Sequence, residues 1–530
     1  MKGSATAGES PSPAKASSLV IGGFPLPAIV FLALTAAVSL LWSHYKLLVP
    51  DELLVLQTDS VSSIGQIIHI QRAYPICLDP VFYHAVVHSA ISLFGSSALV
   101  IRLPSLFGFL LMQVCLFVFV RRIASERAAI FALAFPALTL TLQYSAQARP
   151  YGLLLGLFAL TMVSWQTAIR SERPSALALV ALALSIAITL NTHYFGVLLL
   201  APLCGAELLR TFQRRRLDIP VLVSIGVGMA GFIFVLPFMR AAAEFRQHYY
   251  AAGQSGLHLI LVAYRWILVE PLEASARLPH LQAICLVLLA IPLSWACIRQ
   301  FRSGTLLLAN AEAAFLVLLA GLPFCWYLAG RYGAHSLELH FVLGTLVGIS
   351  PLLAIALEPL MQSERAGKTV LVVLFAAITC AGTSRIHASR TVGQEFMSSL
   401  VVDPEIKAAL MASPSQPIYF EELSRYEMAR YYEPDPEVRS RMVLVYSRDQ
   451  ELYWNHSDTL ALTAMHMRSF PVFPIIPYEW ATAQPGSQLF VIDRKDPWDW
   501  SGRAIAASDA DAKPLGSAFG GDLVSVRFHP

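Results

Sequence analysis

The stretch "LLVPDELLVL", residues 47–56, ends one long apolar run and sets two adjacent acids, Asp51 and Glu52, at its lip. Its meaning depends on what precedes it. From about Leu26 to Leu48 the chain stays apolar for longer than the core of a secretory signal, and no small-residue cleavage site follows. That run reads as a retained first membrane span, long enough for a hydrocarbon layer of roughly 30 Å. The two acids then stand just beyond the bilayer. The Ser/Pro/Ala-rich residues ahead of the span, taken as 1–25, are expected to be a disordered cytoplasmic tail.

Composition supports a membrane fold. Of 530 residues, 56% are hydrophobic and only 14% charged, against about 25% charged in soluble domains. The formal charge of +3 offers no footing for a nucleic-acid partner. Seven cysteines, among them Cys115, Cys204, Cys285, Cys297, Cys325 and Cys380 inside apolar runs, lack metal-ligand spacing and read as small core hydrophobes.

Further apolar runs predict spans at 104–122, 128–145, 150–169, 175–192, 194–210, 219–238, 280–298, 306–329, 340–360 and 369–384, about eleven with the first. The cations of "FVRRIASERA", "IRSERP", "LRTFQRRRL", "IRQFRS" and "SERAGK" all fall on one side under this scheme, which makes that side cytoplasmic. Segments 49–103 and 239–279 and everything past 385 then lie outside. "PVFYHAVVHSAISLFG" (80–95) is too short for this count, so 82–94 is read as a helix lying in the outer interface, with His84 and His88 on one face. Region 385–530, with "MVLVYS" and "QLFVIDR" between helical pieces, reads as a soluble α/β domain outside the cytoplasm. Its role is open between substrate capture, a structural cap and a partner surface. The fold class expected is thus mainly α: a polytopic helical bundle in the cell (inner) membrane, with outer interfacial helices and a C-terminal α/β domain.

Ionisable residues avoid the middle of the spans; Glu207 and Glu312 sit toward inner ends. Transporters and pumps keep such groups at midplane, so a lipid or polysaccharide transporter or flippase is the weaker reading. The charged groups gather instead at the outer boundary: Asp51, Glu52, Asp59, His69, Arg72, Asp79, His84, Arg102, Arg149 and His193. A guanidinium suits a phosphate, because it donates two parallel hydrogen bonds and stays charged. A carboxylate suits a base that receives a hydroxyl proton late in bond formation. The plainer readings are interface anchors: Asp59 as a loop cap, Arg149 as a snorkelling side chain, His193 and Tyr194 as ordinary interfacial rings. A non-catalytic scaffold with an outer binding domain would need nothing more.

Four segments carry a resemblance: "PDELL" after the first span, "LFGSSALVIRLPSLFGFLL" (93–111), "YSAQARPYGLLLG" (144–156) and "THYFG" (192–196). In order and spacing they resemble bacterial glycosyltransferase family 39-like proteins. These are membrane enzymes of GT-C fold, related to protein O-mannosyltransferases and the lipid A aminoarabinose transferase. The resemblance spans roughly 25–360. It implies an inverting transfer from a polyprenyl-phosphate sugar to an acceptor hydroxyl on a protein, lipid or glycan. It also implies Asp51 as base, Glu52 as the residue that orients it or the acceptor, and Arg149 as the donor-phosphate contact. Tyr151, His193 and Tyr194 would line the cleft, with Arg72, Tyr83, Arg102 and Arg331 as further contacts. No nucleotide-binding glycine loop occurs, which fits a lipid donor. No cofactor is certain; a divalent metal is possible.

Two departures bear on the outer face. The family's His-Pro-Pro before the Tyr-rich interfacial helix is replaced by "CLDPVFYH", which puts Asp79 at that place. The usual late Arg-Tyr pair is replaced by His340 and Phe341, while Arg331 and Tyr332 stand earlier in the loop. Both changes put the sugar, the acceptor and any metal in question more than the fold.

Overall fold

The computed structural model describes residues 20–21, 23–249, 256–269, 290–291, 294–295, 310–334, 338–400, 406–407, 410, 415–470, 473–493 and 495–529. Most of the expected tail 1–25 and most of the span expected at 280–298 lie outside the described residues. Within the tail, Val20–Ile21 (β1) pairs with Phe24–Pro25 (β2).

The bundle opens with α1 (Leu26–Tyr45), then α2 (Pro50–Asp59), α3 (Ile64–Ala73), α4 (Val81–Phe94) and α5 (Ala98–Arg121). It continues with α6 (Glu126–Ala134), α7 (Tyr151–Ile169) and α8 (Ala176–Thr192). Among the described residues, 6 helices are long and apolar enough to cross a membrane, or up to 8 if each bent pair counts once. The bent pairs, Glu126–Leu138 with Leu140–Ala146 (75°) and Ala311–Ala320 with Leu322–Tyr332 (51°), stand where single straight spans were expected at 128–145 and 306–329. Pro136 and Pro323 lie in these breaking regions, each removing a backbone donor. The spans expected at 175–192 and 340–360 are shorter apolar helices, Ala176–Thr192 and Thr345–Met361.

Close packing fixes the centre. On α5 and α7, a side chain at Gly108, Gly152 or Gly156 would collide with backbone of the facing helix or its approach. Gly152 and Gly156 form a "GLLLG" spacing, the small-residue pattern that lets two membrane helices touch along their backbones. This contact holds the first turn of α5 beside the loop that enters α7, which is where Arg102 and Arg149 reside. The acids expected near span ends are paired: Glu207 accepts from Trp165 (2.9 Å) and Arg210 (2.7 Å), and Glu312 from Arg170 (2.7 Å).

The short helix α4, 14 residues, spans only about 21 Å at 1.5 Å per residue. Both histidines on its face turn to Asp59: His84 Nδ1 meets Asp59 Oδ1 at 2.8 Å, and His88 Nδ1 meets the Asp59 carbonyl at 2.9 Å. Asp59 thus ties α2 to α4.

The last bundle helix, Glu364–Leu400, has 37 residues, about 55 Å of helix. It runs past α1, with Trp42 Nε1 donating to Ser389 Oγ at 2.7 Å, and delivers the chain to the end of the bundle that carries α2. There a six-stranded mixed sheet forms from β3 (Ile418–Phe420), β4 (Met442–Tyr446), β5 (Ile475–Pro477), β6 (Ser487–Ile492), β7 (Ala510–Ala518) and β8 (Gly521–Phe528). Its order is β5-β4-β3-β6-β8-β7, with β3 to β6 parallel and the last two strands antiparallel. The sheet domain docks on the bundle through Leu48 N to Tyr432 Oη (2.6 Å), Gln57 Nε2 to Glu427 Oε1 (3.0 Å) and His466 Nδ1 with the Pro75 carbonyl (3.0 Å).

Candidate active site

Helix α2 starts with Pro50, whose fixed φ and missing N–H suit a first helical position. The next two residues, Asp51 and Glu52, therefore leave the helix about 100° apart, and they meet opposite surroundings.

Glu52 is buried. Its carboxylate receives both Arg102 Nε and Nη2 at 2.7 Å, the Ala148 N–H at 2.7 Å and the Val49 N–H at 3.2 Å, with Lys46 Nζ at 3.8 Å. Burial pushes its carboxyl upward, yet Lys46, Arg102 and the Ala148 amide bring it below the usual carboxylate range. Arg102 spends its remaining donors on the Ser43, Lys46 and Leu47 carbonyls at the C-terminal end of α1 (2.7, 3.0 and 2.9 Å). This pair joins α1, α2, α5 and the loop before α7. Neither residue lines the cavity described next; Glu52, expected to orient Asp51 or the acceptor, and Arg102, expected as a substrate contact, are joined here as a clamp between these elements. Tyr83 is likewise buried: its hydroxyl lies 3.2 Å from Ser105 Oγ, which donates to the Arg149 carbonyl at 2.6 Å. It supports Arg149 from behind.

Asp51 faces outward and meets Arg149 Nη1 at 3.3 Å. Arg149 is held by the turn before α7, and its Nη2 donates to Tyr151 Oη at 3.3 Å. Burial works against its charge, but Asp51, Tyr151 and Asp79 hold the guanidinium above its ordinary range. These groups border a cavity of about 210 Å³ shared by Asp51, Asp79, Arg149, Tyr151, His193 and Tyr194. Six residues expected at the site are thus brought together.

Asp79, the departure from the family pattern, is buried, with Oδ1 3.4 Å from His193 Nε2. His193 Nδ1 accepts the Phe195 N–H at 3.1 Å, which leaves the proton on Nε2, directed at Asp79. Burial, reinforced by Arg149, lowers the imidazole to about 4 despite Asp79, so the ring is neutral near pH 7. His340 and Phe341, the second departure, also line the cavity. The His340 ring lies 4.8 Å from Tyr151, and Phe341 stacks on Phe195 at 3.8 Å. Arg331 is exposed and outside the cavity. Arg72 borders instead an apolar groove of about 570 Å³ between Ile68, Phe82, Ile188, Ile233, Phe234 and Phe238. That groove runs beside the cavity, since Val81 and Asn191 line it while Asp79 and His193 line the cavity. Among the described residues, no three His, Cys, Asp or Glu side chains gather as a metal site.

The opposite wall was not anticipated. Leu423, Ser424, Glu427, Thr459, Leu460 and Thr463 of the C-terminal region close the cavity over α2. Glu427 lies in "RYEMARYY", a segment whose charges suggest a solvated helix; only its docking partner tells otherwise.

A family model described as dolichyl-phosphate-mannose-protein mannosyltransferase matches residues 79–239. The chain is also similar to the crystal structure of ArnT from Cupriavidus metallidurans in the apo state: 12% identity, TM-score 0.60, covering 94% of this chain and 97% of that one. For the same protein bound to undecaprenyl phosphate the values are 13%, 0.54, 94% and 97%. No curated protein sequence matches the chain. The architecture is therefore the multi-pass membrane GT-C fold of the ArnT type, as the four motifs between residues 50 and 196 implied.

Proposed function

We propose that this chain is a glycosyltransferase that moves a sugar from a polyprenyl-phosphate donor to an acceptor hydroxyl at the outer face of the membrane, with inversion. The observation that carries this reading is the Asp51–Arg149 pair, 3.3 Å apart at the mouth of a cavity that adjoins an apolar groove. A base and a phosphate-binding cation then border one cavity; a single displacement needs them on opposite sides of the anomeric carbon, so the bound sugar phosphate parts the pair. ArnT, whose fold this chain shares, has been seen with undecaprenyl phosphate bound.

In this mechanism the isoprenoid tail occupies the groove, where each buried methylene contributes about 0.8 kcal/mol. Arg72 at the groove edge stays available to an anionic headgroup. The phosphate displaces Asp51 as the partner of Arg149, which frees the carboxylate to face the acceptor. The acceptor oxygen attacks the anomeric carbon. The bond from that carbon to the phosphate oxygen breaks, and its electron pair remains on the phosphate, stabilised by the guanidinium. The hydroxyl proton passes to Asp51. Tyr151, His193, His340 and Phe341 supply ring faces that exclude water and stack against the sugar. The neutral His193 acts by orienting Asp79, not by proton transfer.

A transporter would place ionisable groups in mid-bundle, whereas Glu207 and Glu312 sit toward helix ends and are paired with Arg210 and Arg170. The reading is tested with purified protein and a radiolabelled polyprenyl-phosphate sugar. Transfer by the wild type and its collapse in Asp51→Asn support it. Equal turnover in both removes Asp51 as base.

A further inference from the structure

The proposed donor reading leaves the wall contributed by the C-terminal domain without a role, and three buried polar atoms around the cavity without partners. These are Glu427 Oε2, Asp79 Oδ2 and Arg149 Nε. Buried polar atoms are nearly always paired, so three exceptions around one cavity point to a polar ligand that completes them. Asp79 and Arg149 belong to the bundle. Glu427 comes from the sheet domain, on the helix Leu423–Tyr432, whose N-terminus is capped by Glu422 accepting from Ser424 and Arg425 N–H (2.9 and 2.6 Å).

Glu427 is 3% exposed. One carboxyl oxygen accepts from Gln57 on α2 at 3.0 Å, which fixes the side chain's direction. On α2, Asp51 and Leu54 stand three residues apart and so neighbour each other on the helix surface. Asp51, Leu54 and Glu427 indeed line one cavity. The space, about 210 Å³, equals about seven water volumes, the scale of a single sugar ring and not of an oligosaccharide. Ser424 and Thr463 stand beside Glu427 on the same wall.

We propose that Glu427 is a substrate-positioning residue whose free carboxyl oxygen hydrogen-bonds a hydroxyl of the donor's monosaccharide, so that the C-terminal domain forms half of the sugar subsite. The bundle side holds the phosphate and the base; the outer domain reads the sugar. Burial first, then Asp51 and Glu422, raise this carboxyl to about 8 against the Gln57 hydrogen bond, so near neutrality it carries a proton to donate. The inference rests on the polyprenyl-phosphate donor proposed above, and its test separates the two.

The test measures the affinity of the full-length protein for bare undecaprenyl phosphate and for the same lipid carrying a hexose or a pentose. Glu427→Ala should leave the affinity for the bare lipid within about twofold while the preference for a sugar-bearing lipid falls about tenfold, the size of one lost hydrogen bond. Glu427→Gln, which keeps a donor and the Gln57 contact, should retain most of that preference. A preference unchanged in Glu427→Ala overturns the proposal, and so does a parallel fall for bare and loaded lipids, because a merely structural contact would weaken both. A wild type that binds all the lipids equally removes the sugar subsite. One that binds none overturns the donor reading itself.

Discussion

The two faces of helix α2 carry adjacent acids, each paired with an arginine, and the pairs differ in every physical respect. On the core face, Glu52 and Arg102 meet through two 2.7 Å hydrogen bonds, both side chains are essentially inaccessible, and the remaining donors and acceptors are taken by backbone. On the cavity face, Asp51 and Arg149 meet once at 3.3 Å, Asp51 is 57% exposed, and Arg149 Nε is left unpaired. A saturated pair has nothing left for a ligand, and breaking it exposes a buried charge to an apolar interior. A loose pair with an orphan donor can be opened by a phosphate. The contrast teaches that proximity of acid and arginine is not a sign of chemistry; unspent hydrogen-bonding capacity is.

The sharpest way to break this comparison is Asp51→Asn. Turnover with a polyprenyl-phosphate sugar should fall by about 10²–10⁴, the usual scale for a lost general base, while the thermal midpoint stays put because Asp51 is exposed. A falling midpoint would make Asp51 a clamp like its neighbour. Arg102→Leu is the converse. It leaves buried Glu52 with Lys46 at 3.8 Å as its remaining cation and uncaps α1, so stability should drop by about 3–5 kcal/mol, read as loss of folded protein in detergent. If Arg102→Leu instead kept its midpoint and lost only activity, the core face would be part of the site. Arg149→Ala should mostly weaken donor affinity, by about 10- to 100-fold for a lost charge-assisted hydrogen bond. Unchanged affinity would remove the phosphate role.

The same contrast explains what the sequence could reveal. Asp51, Asp79, Arg149, Tyr151, His193 and Tyr194 all stand within a few residues of an apolar run's edge, so their common depth follows from span boundaries. The clamp was harder to see, because Glu52 and Arg102 share that depth and differ only in azimuth. One local signal existed: a glutamate at the third helical position after Pro50 tends to fold back on the chain entering the helix, as Glu52 does onto Val49 N. The resemblance that brings in Tyr83, Arg72 and Arg331 likewise carries no azimuth, and none of the three lines the cavity. Hydropathy registers length and not the breaks near Pro136 and Pro323, so it predicts straight spans at both places. Glu427 had no signal at all. Its burial results from docking against Gln57, which is 370 residues away in the chain, and nothing in "RYEMARYY" marks which face meets a partner.

That docking makes the last and smallest prediction. Glu427 has an ordinary value of 4.5 and is raised to about 8 in the folded protein, chiefly by burial, then by Asp51 from α2 and Glu422 from its own helix, with the Gln57 hydrogen bond opposing. Between these values the docked domain holds a proton that the undocked domain releases. The stability gained is therefore complete below about pH 4.5 and is lost as pH rises through about 8. Attachment of the sheet domain to α2 should loosen across that window, measured as faster limited proteolysis after the helix Glu364–Leu400. Two further contacts, His466 with Glu244 (3.4 Å) and His248 with Asp458 (3.6 Å), also join these segments. The decisive comparison is Glu427→Gln, which cannot ionise. It should flatten the profile between about pH 4.5 and about pH 8. If the variant and wild type respond to pH alike, Glu427 faces the cavity without holding the two regions together.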